Sequence, residues 1–138
     1  VYIYRNPILV FQSTVNFFET THEALMLQPY SKAEFEEMVF ELYEMIIRDY
    51  ERLKSLIPAD HLVEIRYEDF EADPLEGLRN IYDRLDLEGF EQSIPAFTAY
   101  LNSQRKFEKA SHHFNHEEIE RITTRWRFAM ERYGYPMP

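Results

Sequence analysis

From Glu34 to Leu56 the apolar residues Phe35, Met38, Val39, Leu42, Ile46, Tyr50 and Leu53 recur at three- and four-residue spacing. That period belongs to an α-helix, whose 3.6 residues per turn gather such positions into one stripe. A helix this long with one apolar face has to bury that face against other elements, so the chain is committed to a packed, helix-rich fold. Pro58-Ala59-Asp60-His61 breaks the pattern, and Leu62-Val63-Glu64-Ile65-Arg66-Tyr67 follows with the alternation of a strand over about 62–67.

Upstream, Val1-Tyr2-Ile3-Tyr4 has the β-branched and aromatic content of a buried strand over about 1–4. Arg5-Asn6-Pro7 reads as a turn, because Pro sets its own φ and pushes Asn6 out of the helical region. Ile8 to about Phe18 reads as a helix, and Thr20 to Lys32, aperiodic and carrying Pro29 and Ser31, as a surface loop or lid. Downstream, Asp73-Pro74-Leu75-Glu76 supplies an N-cap, a proline at the first helical position and a capping-box glutamate, ahead of a face made by Leu75, Leu78, Ile81, Tyr82 and Leu85. A helical stretch around Phe90 to Leu101 is interrupted or started by Pro95. In the last helix Asn115 caps, Glu118 closes a capping box, Ile119, Ile122, Trp126 and Met130 share a face, and Gly134 stops the run.

Helices interleaved with two short core strands give an α/β class, mostly helical, and 138 residues suit one domain. Two strands alone make a poor parallel sheet, and the chain opens inside a strand on Val1 where a Met would begin a natural product. We therefore expect a preceding portion of a longer protein to hold the rest of the sheet. Surface left open by those strands is expected to favour self-association.

The charge balance narrows the function classes. With 15 Lys and Arg against 25 Asp and Glu, the net charge of −10 argues against nucleic acid as a partner, since phosphate backbones are met by concentrated basic residues. An anionic ligand would have to be held by a local site. The sequence has no cysteine, so disulfides, thiolate metal sites and cysteine nucleophiles do not arise. There is no apolar run of the ~18 residues a membrane span needs and no signal-like segment, so the expected location is cytoplasmic. His112, His113 and His116 cluster at the start of the last helix, but the expectation is a polar helix start and no metal site.

The candidate for anion binding is Arg5, just past the carboxyl end of a strand, where ligands dock in open α/β sheets. A guanidinium fork matches two phosphate oxygens, and the hydroxyl of Ser13, eight residues on, could serve a third. Spacing alone favours the plainer reading, Arg5 as a surface turn residue and Ser13 as a tolerated polar position on a helix. The stretch Tyr4-Arg5-Asn6-Pro7-Ile8-Leu9-Val10-Phe11-Gln12-Ser13, however, resembles the 3′-phosphate-binding segment of sulfotransferases that use 3′-phosphoadenosine 5′-phosphosulfate (PAPS). Ile65-Arg66-Tyr67-Glu68-Asp69-Phe70, followed by Asp73-Pro74, is similar to the same family's Tyr-Glu-Asp segment. Tyr100-Leu101-Asn102-Ser103-Gln104-Arg105-Lys106-Phe107, with the Trp126 helix and Tyr133-Gly134-Tyr135, is similar to the C-terminal region of the bacterial-type branch related to tyrosylprotein sulfotransferases.

The resemblance implies the C-terminal part of a single P-loop-like, three-layer sulfotransferase domain spanning 1–138. It implies transfer of a sulfuryl group from PAPS to a hydroxyl or amine acceptor, leaving adenosine 3′,5′-bisphosphate (PAP). Arg5 and Ser13 would contact the 3′-phosphate, Tyr67 would lie near the adenine, and Arg105 and Lys106 would belong to a basic cofactor loop, although Phe107 stands where that loop carries glycine. Tyr67 can also be a strand-end tyrosine filling core volume, Glu68 and Asp69 turn and cap residues, and Arg105 and Lys106 a solvated basic turn. The family's 5′-phosphosulfate loop has no counterpart here, since Gly77, Gly89 and Gly134 lie in no such loop, and the catalytic base is expected upstream of Val1. Small-molecule, lipid, carbohydrate and peptide acceptors all remain open. Two rivals stand beside this reading: a helical protein-interaction module without catalytic activity, and a phosphate-transfer enzyme of related architecture, for which no Walker-type Gly-Lys-Ser/Thr is present.

Overall fold

A computed structural model of the chain describes residues 1–25, 31–104 and 115–138. Its elements run β1 (Tyr2–Tyr4), α1 (Pro7–Leu25), α2 (Lys32–Leu53), β2 (Glu64–Arg66), α3 (Tyr67–Ala72), α4 (Pro74–Arg84), α5 (Phe90–Gln104), α6 (His116–Arg125) and α7 (Arg127–Tyr133). They divide between two compact units, Val1–Arg5 with Leu56–Ser111, and Asn6–Ser55 with His112–Pro138. The architecture is mostly helical with a two-stranded parallel sheet. No helix among the described residues is long and apolar enough to cross a membrane.

The first unit holds the sheet. β1 and β2 pair in parallel with Tyr2 opposite Glu64, Ile3 opposite Ile65 and Tyr4 opposite Arg66, and the Tyr2 N–H donates to the Val63 carbonyl at 2.8 Å. The second strand is shorter than the 62–67 expected: Tyr67 is the first residue of α3, and Glu68 and Asp69 sit in that helix's first turn rather than in a turn or cap. Two carboxylates at a helix N-terminus complement its dipole, and this local preference wins over the strand pattern that runs up to Tyr67. α4 starts as the sequence indicates, with Pro74 first and Asp73 Oδ1 accepting from the Glu76 N–H at 3.1 Å. The Glu76 carboxylate lies 3.8 Å from Arg79, so the box is formed from the Asp73 side. Its face is only half-buried; Tyr82 packs edge-on to Phe90 with ring centroids 5.3 Å apart. α5 continues straight through Pro95, which is exposed, so the carbonyl left without a donor one turn back can be met by water.

The second unit is helical. Asn6 opens α1, its Oδ1 accepting from the Ile8 N–H at 3.0 Å and its carbonyl from the Val10 N–H at 3.0 Å. α1 does not end near Phe18; it runs to Leu25, so the expected loop from Thr20 begins as helix. Thr20 and Thr21 are tolerated because their hydroxyls donate back to the Phe17 carbonyl, each at 2.8 Å. Residues 26–30 of that expected loop lie outside the described residues, and Ser31 and Glu34 close a reciprocal capping box on α2.

The buried residues of α2 are Phe35, Val39, Phe40 and Ile47, whereas Met38, Leu42, Ile46 and Leu53 of the expected stripe are 38–50% exposed. α2 is apolar on more than one face, and the buried face is flanked by ion pairs to the last two helices. Glu36 and Glu37 meet Arg121 and Arg125 at 2.7 and 2.6 Å, Glu44 meets Arg125 at 3.3 Å, and Glu51 meets Arg132 at 2.9 Å. Burial pushes the Glu51 carboxyl up, but hydrogen bonds and charge from Arg132 and Lys54 overcome this and hold it below its ordinary value.

Trp126, wholly buried, is the centre of this unit. Its indole N–H donates to the Phe40 carbonyl at 3.3 Å, and its ring meets Tyr43 at 3.9 Å, Phe40 at 5.3 Å and Phe11 at 5.5 Å. The last helix is not continuous as expected: Trp126, at φ −105° and ψ 23°, separates α6 from α7. Turning the backbone there lets its carbonyl accept from both Ala129 and Met130, at 2.9 and 3.1 Å. The Asn115–Glu118 capping box and the left-handed Gly134 at φ +67° stand where the sequence indicates.

Candidate functional site

The parallel register builds the site. Tyr4 pairs with Arg66, so the next residues along, Arg5 and Tyr67, leave the carboxyl ends of neighbouring strands side by side. The Arg5 guanidinium carbon lies 4.5 Å from the centroid of the Tyr67 ring, a cation–π stack. Tyr67 is held in turn from its own helix, its hydroxyl donating to Glu71 Oε1 at 2.7 Å. Arg66, the residue before α3, pairs with Glu68 at 3.4 Å.

Arg5 is half-buried, and its Nε is enclosed with no hydrogen-bond partner among the described residues. A buried N–H left unmet costs about 1–3 kcal/mol, so such a donor points to an acceptor that arrives from elsewhere. The planar fork of the residue suits an anion that presents two acceptor oxygens, such as a phosphate.

A cleft of about 440 Å³ opens in the same unit, but its lining includes Glu64, Asp69, Asp73, Glu76 and Asp83 against the single cation Arg66. Five carboxylates make it hostile to an anion, and Arg5 is not among its lining residues. The stacked guanidinium is therefore a better candidate for an anion than this cleft.

Residues 1–92, which hold both β1 and the Arg5–Tyr67 pair, match the sulfotransferase family profile. The chain belongs to the sulfotransferase family. It is also 27% identical over 135 residues to omega-hydroxy-beta-dihydromenaquinone-9 sulfotransferase Stf3 of Mycobacterium bovis (strain ATCC BAA-935 / AF2122/97), and to the same extent to the protein of that name from Mycobacterium tuberculosis (strain CDC 1551 / Oshkosh). Each alignment covers 98% of this chain and 35% of the relative, so the chain spans about a third of the length of the curated relatives it matches. No solved structure matches the chain.

Within this sulfotransferase chain the predicted site residues fall in different places. Arg5 and Tyr67 are brought together in the sheet-bearing unit. Ser13 lies on α1 in the helical unit with its side chain exposed. Arg105 and Lys106 lie outside the described residues, as do His112 and His113 of the histidine cluster; His116 is the first residue of α6 and is exposed. Sequence reasoning missed Glu71. Its signal was the four-residue spacing from Tyr67, hidden because Tyr67 read as the end of a strand.

Proposed function

We propose that this chain is the C-terminal part of a single P-loop-like sulfotransferase domain and carries the residues that hold the 3′-phosphate of PAPS. The observation that carries the reading is Arg5: a guanidinium at the carboxyl end of a core strand, stacked on Tyr67, with a buried N–H that lacks an acceptor among the described residues. When bound, PAPS supplies an activated sulfuryl group on a bisphosphate that leaves as PAP. Arg5 holds the phosphate remote from the reacting sulfur, so its part is to position the donor, and binding energy gained there is used for in-line alignment. Ser13 adds a neutral donor. Binding of the 5′-phosphosulfate and removal of the acceptor proton are assigned to regions outside these 138 residues, in keeping with the share of the relatives that the chain covers.

The acceptor is a hydroxyl or amine. The name of the mycobacterial relatives, which refers to a hydroxylated menaquinone lipid, favours a hydroxyl on an apolar acceptor. Calorimetric titration of the full-length protein with PAP, beside Arg5→Ala, tests the reading. Saturable binding is expected, weakened by about tenfold or more in the variant, as for loss of a charge-assisted pair. Equal affinity in both proteins would remove Arg5 from the donor site. A full-length protein that binds no PAP would favour the helical interaction module, for which the exposed Met38, Leu42, Met45 and Ile46 on α2 offer a surface.

A further inference from the structure

We propose that Tyr67 acts on the phosphate rather than on the base: its ring is the platform that orients Arg5, and Glu71 is the anchor that sets the ring. This rests on the assignment of Arg5 to the donor's 3′-phosphate. The side-chain chain Glu71, Tyr67, Arg5 is continuous, with a 2.7 Å hydrogen bond at one end and a 4.5 Å stack at the other.

The physical case begins with freedom. An arginine at the end of a strand has four side-chain torsions to settle, and a phosphate clamp works only when the planar fork is already aimed. The face of a tyrosine ring carries the negative end of its quadrupole, so a guanidinium lies flat on it and keeps its N–H edges directed sideways, away from the ring. Tyr67 is itself fixed at the first turn of α3, and its phenolic O–H donates to a carboxylate one turn on, a short charge-assisted bond. That bond holds the ring and enriches its electrons.

The family resemblance implies that Tyr67 lies near the adenine; here one face of its ring serves Arg5. The face of the ring that Arg5 covers is not available to adenine, and the hydroxyl is engaged by Glu71. Tyr67 and Glu71 are thus positioning residues for the donor site. Neither Tyr67 nor Glu71 lines the acidic cleft of the same unit.

A ligand pair separates phosphate from base. PAP and adenosine 5′-phosphate share the adenosine and the 5′-phosphate and differ in the 3′-phosphate. Their affinities are measured calorimetrically on the full-length protein and on Tyr67→Leu, Tyr67→Phe and Arg5→Ala, with thermal melts of each. Tyr67→Leu is expected to weaken PAP by about fivefold to tenfold and adenosine 5′-phosphate by less than about twofold, the scale of a partly desolvated cation–π contact. Tyr67→Phe keeps the ring and loses the bond to Glu71, so a smaller loss, again confined to PAP, is expected. Should Tyr67→Leu fail to fold, the Tyr67→Phe comparison decides. An equal loss for both ligands would show the ring acting on adenine, and no loss for either would show it idle; each result overturns the proposal. If the unaltered protein does not prefer PAP, or Arg5→Ala keeps the preference, the 3′-phosphate assignment of Arg5 fails first, which is a different outcome from failure of the platform alone.

Discussion

In the helical unit Trp126, Phe40, Ala129 and Met130 are wholly enclosed, ringed by Phe11, Val15, Phe35, Val39, Ile122 and Tyr133. Among the described residues the sheet-bearing unit encloses only Val63 to that degree, with Ile65 and Phe90 each 8% exposed, and leaves Val1 56% and Ile3 49% exposed on β1. Helices satisfy their own backbone and need only one another's apolar faces, whereas a strand pair leaves edges and faces that further elements must cover. The helical unit has the larger enclosed core, even with Met38, Leu42, Met45 and Ile46 exposed on α2, and the unit with the open sheet carries the candidate anion site.

If that contrast is right, the largest response to mutation comes from the helical core. Trp126→Ala removes the indole that Phe11, Phe40 and Tyr43 surround, and a loss of about 3–5 kcal/mol is expected. Urea unfolding monitored by far-ultraviolet circular dichroism checks it, and a loss below about 1 kcal/mol would dissolve the distinction between the two units.

A smaller effect is expected in the sheet-bearing unit. A methyl at Gly77 would stand 2.5 Å from Phe70 Cδ2, so α3 and α4 approach there at a distance only glycine allows. Alanine gains about 1 kcal/mol of helix propensity but overpacks by about 1–3 kcal/mol, and a net loss near 1 kcal/mol is expected for Gly77→Ala. Adding Phe70→Leu should return part of it. A more stable Gly77→Ala protein would mean that the α3–α4 contact yields freely.

Acid gives the smallest response, and it too should single out the helical unit. Hydrogen bonds from the Ser31 side chain and backbone hold the Glu34 carboxyl below its ordinary value, and Arg132 and Lys54 do the same for Glu51 against the cost of burial. Both carboxyls have folded values beneath their unfolded ones, so their contribution is fully present above the unfolded value and is lost as pH falls through the folded one. Stability should therefore decline between about pH 5 and pH 3, and less steeply in Glu51→Gln. An unchanged slope in that variant would remove Glu51 from the account.

Much of the local structure was legible from residue order. Asp73-Pro74 and Asn115 with Glu118 mark helix starts because a side-chain oxygen beside free N–H groups acts over three residues, and Gly134 marks a stop because it alone enters the left-handed region without strain. The position of Arg5 was legible for the same local reason: a strand followed at once by a proline turn leaves the next side chain at the strand's carboxyl end. Three features were not legible. The seated face of α2 depends on which of two apolar faces meets partners some eighty residues away, and Glu37, Glu44 and Glu51 show their purpose only once Arg125 and Arg132 stand opposite. The division of the last helix at Trp126 follows from where its indole must go, since periodicity passes through the break without a sign. The stack of Tyr67 on Arg5 requires the parallel register of β1 on β2, with Tyr4 opposite Arg66, and a slip of one residue would send both side chains to the wrong face. Short-range hydrogen bonding and sterics are written in neighbouring residues; register and the choice between apolar faces come from contacts between segments far apart in the chain, which no local pattern encodes.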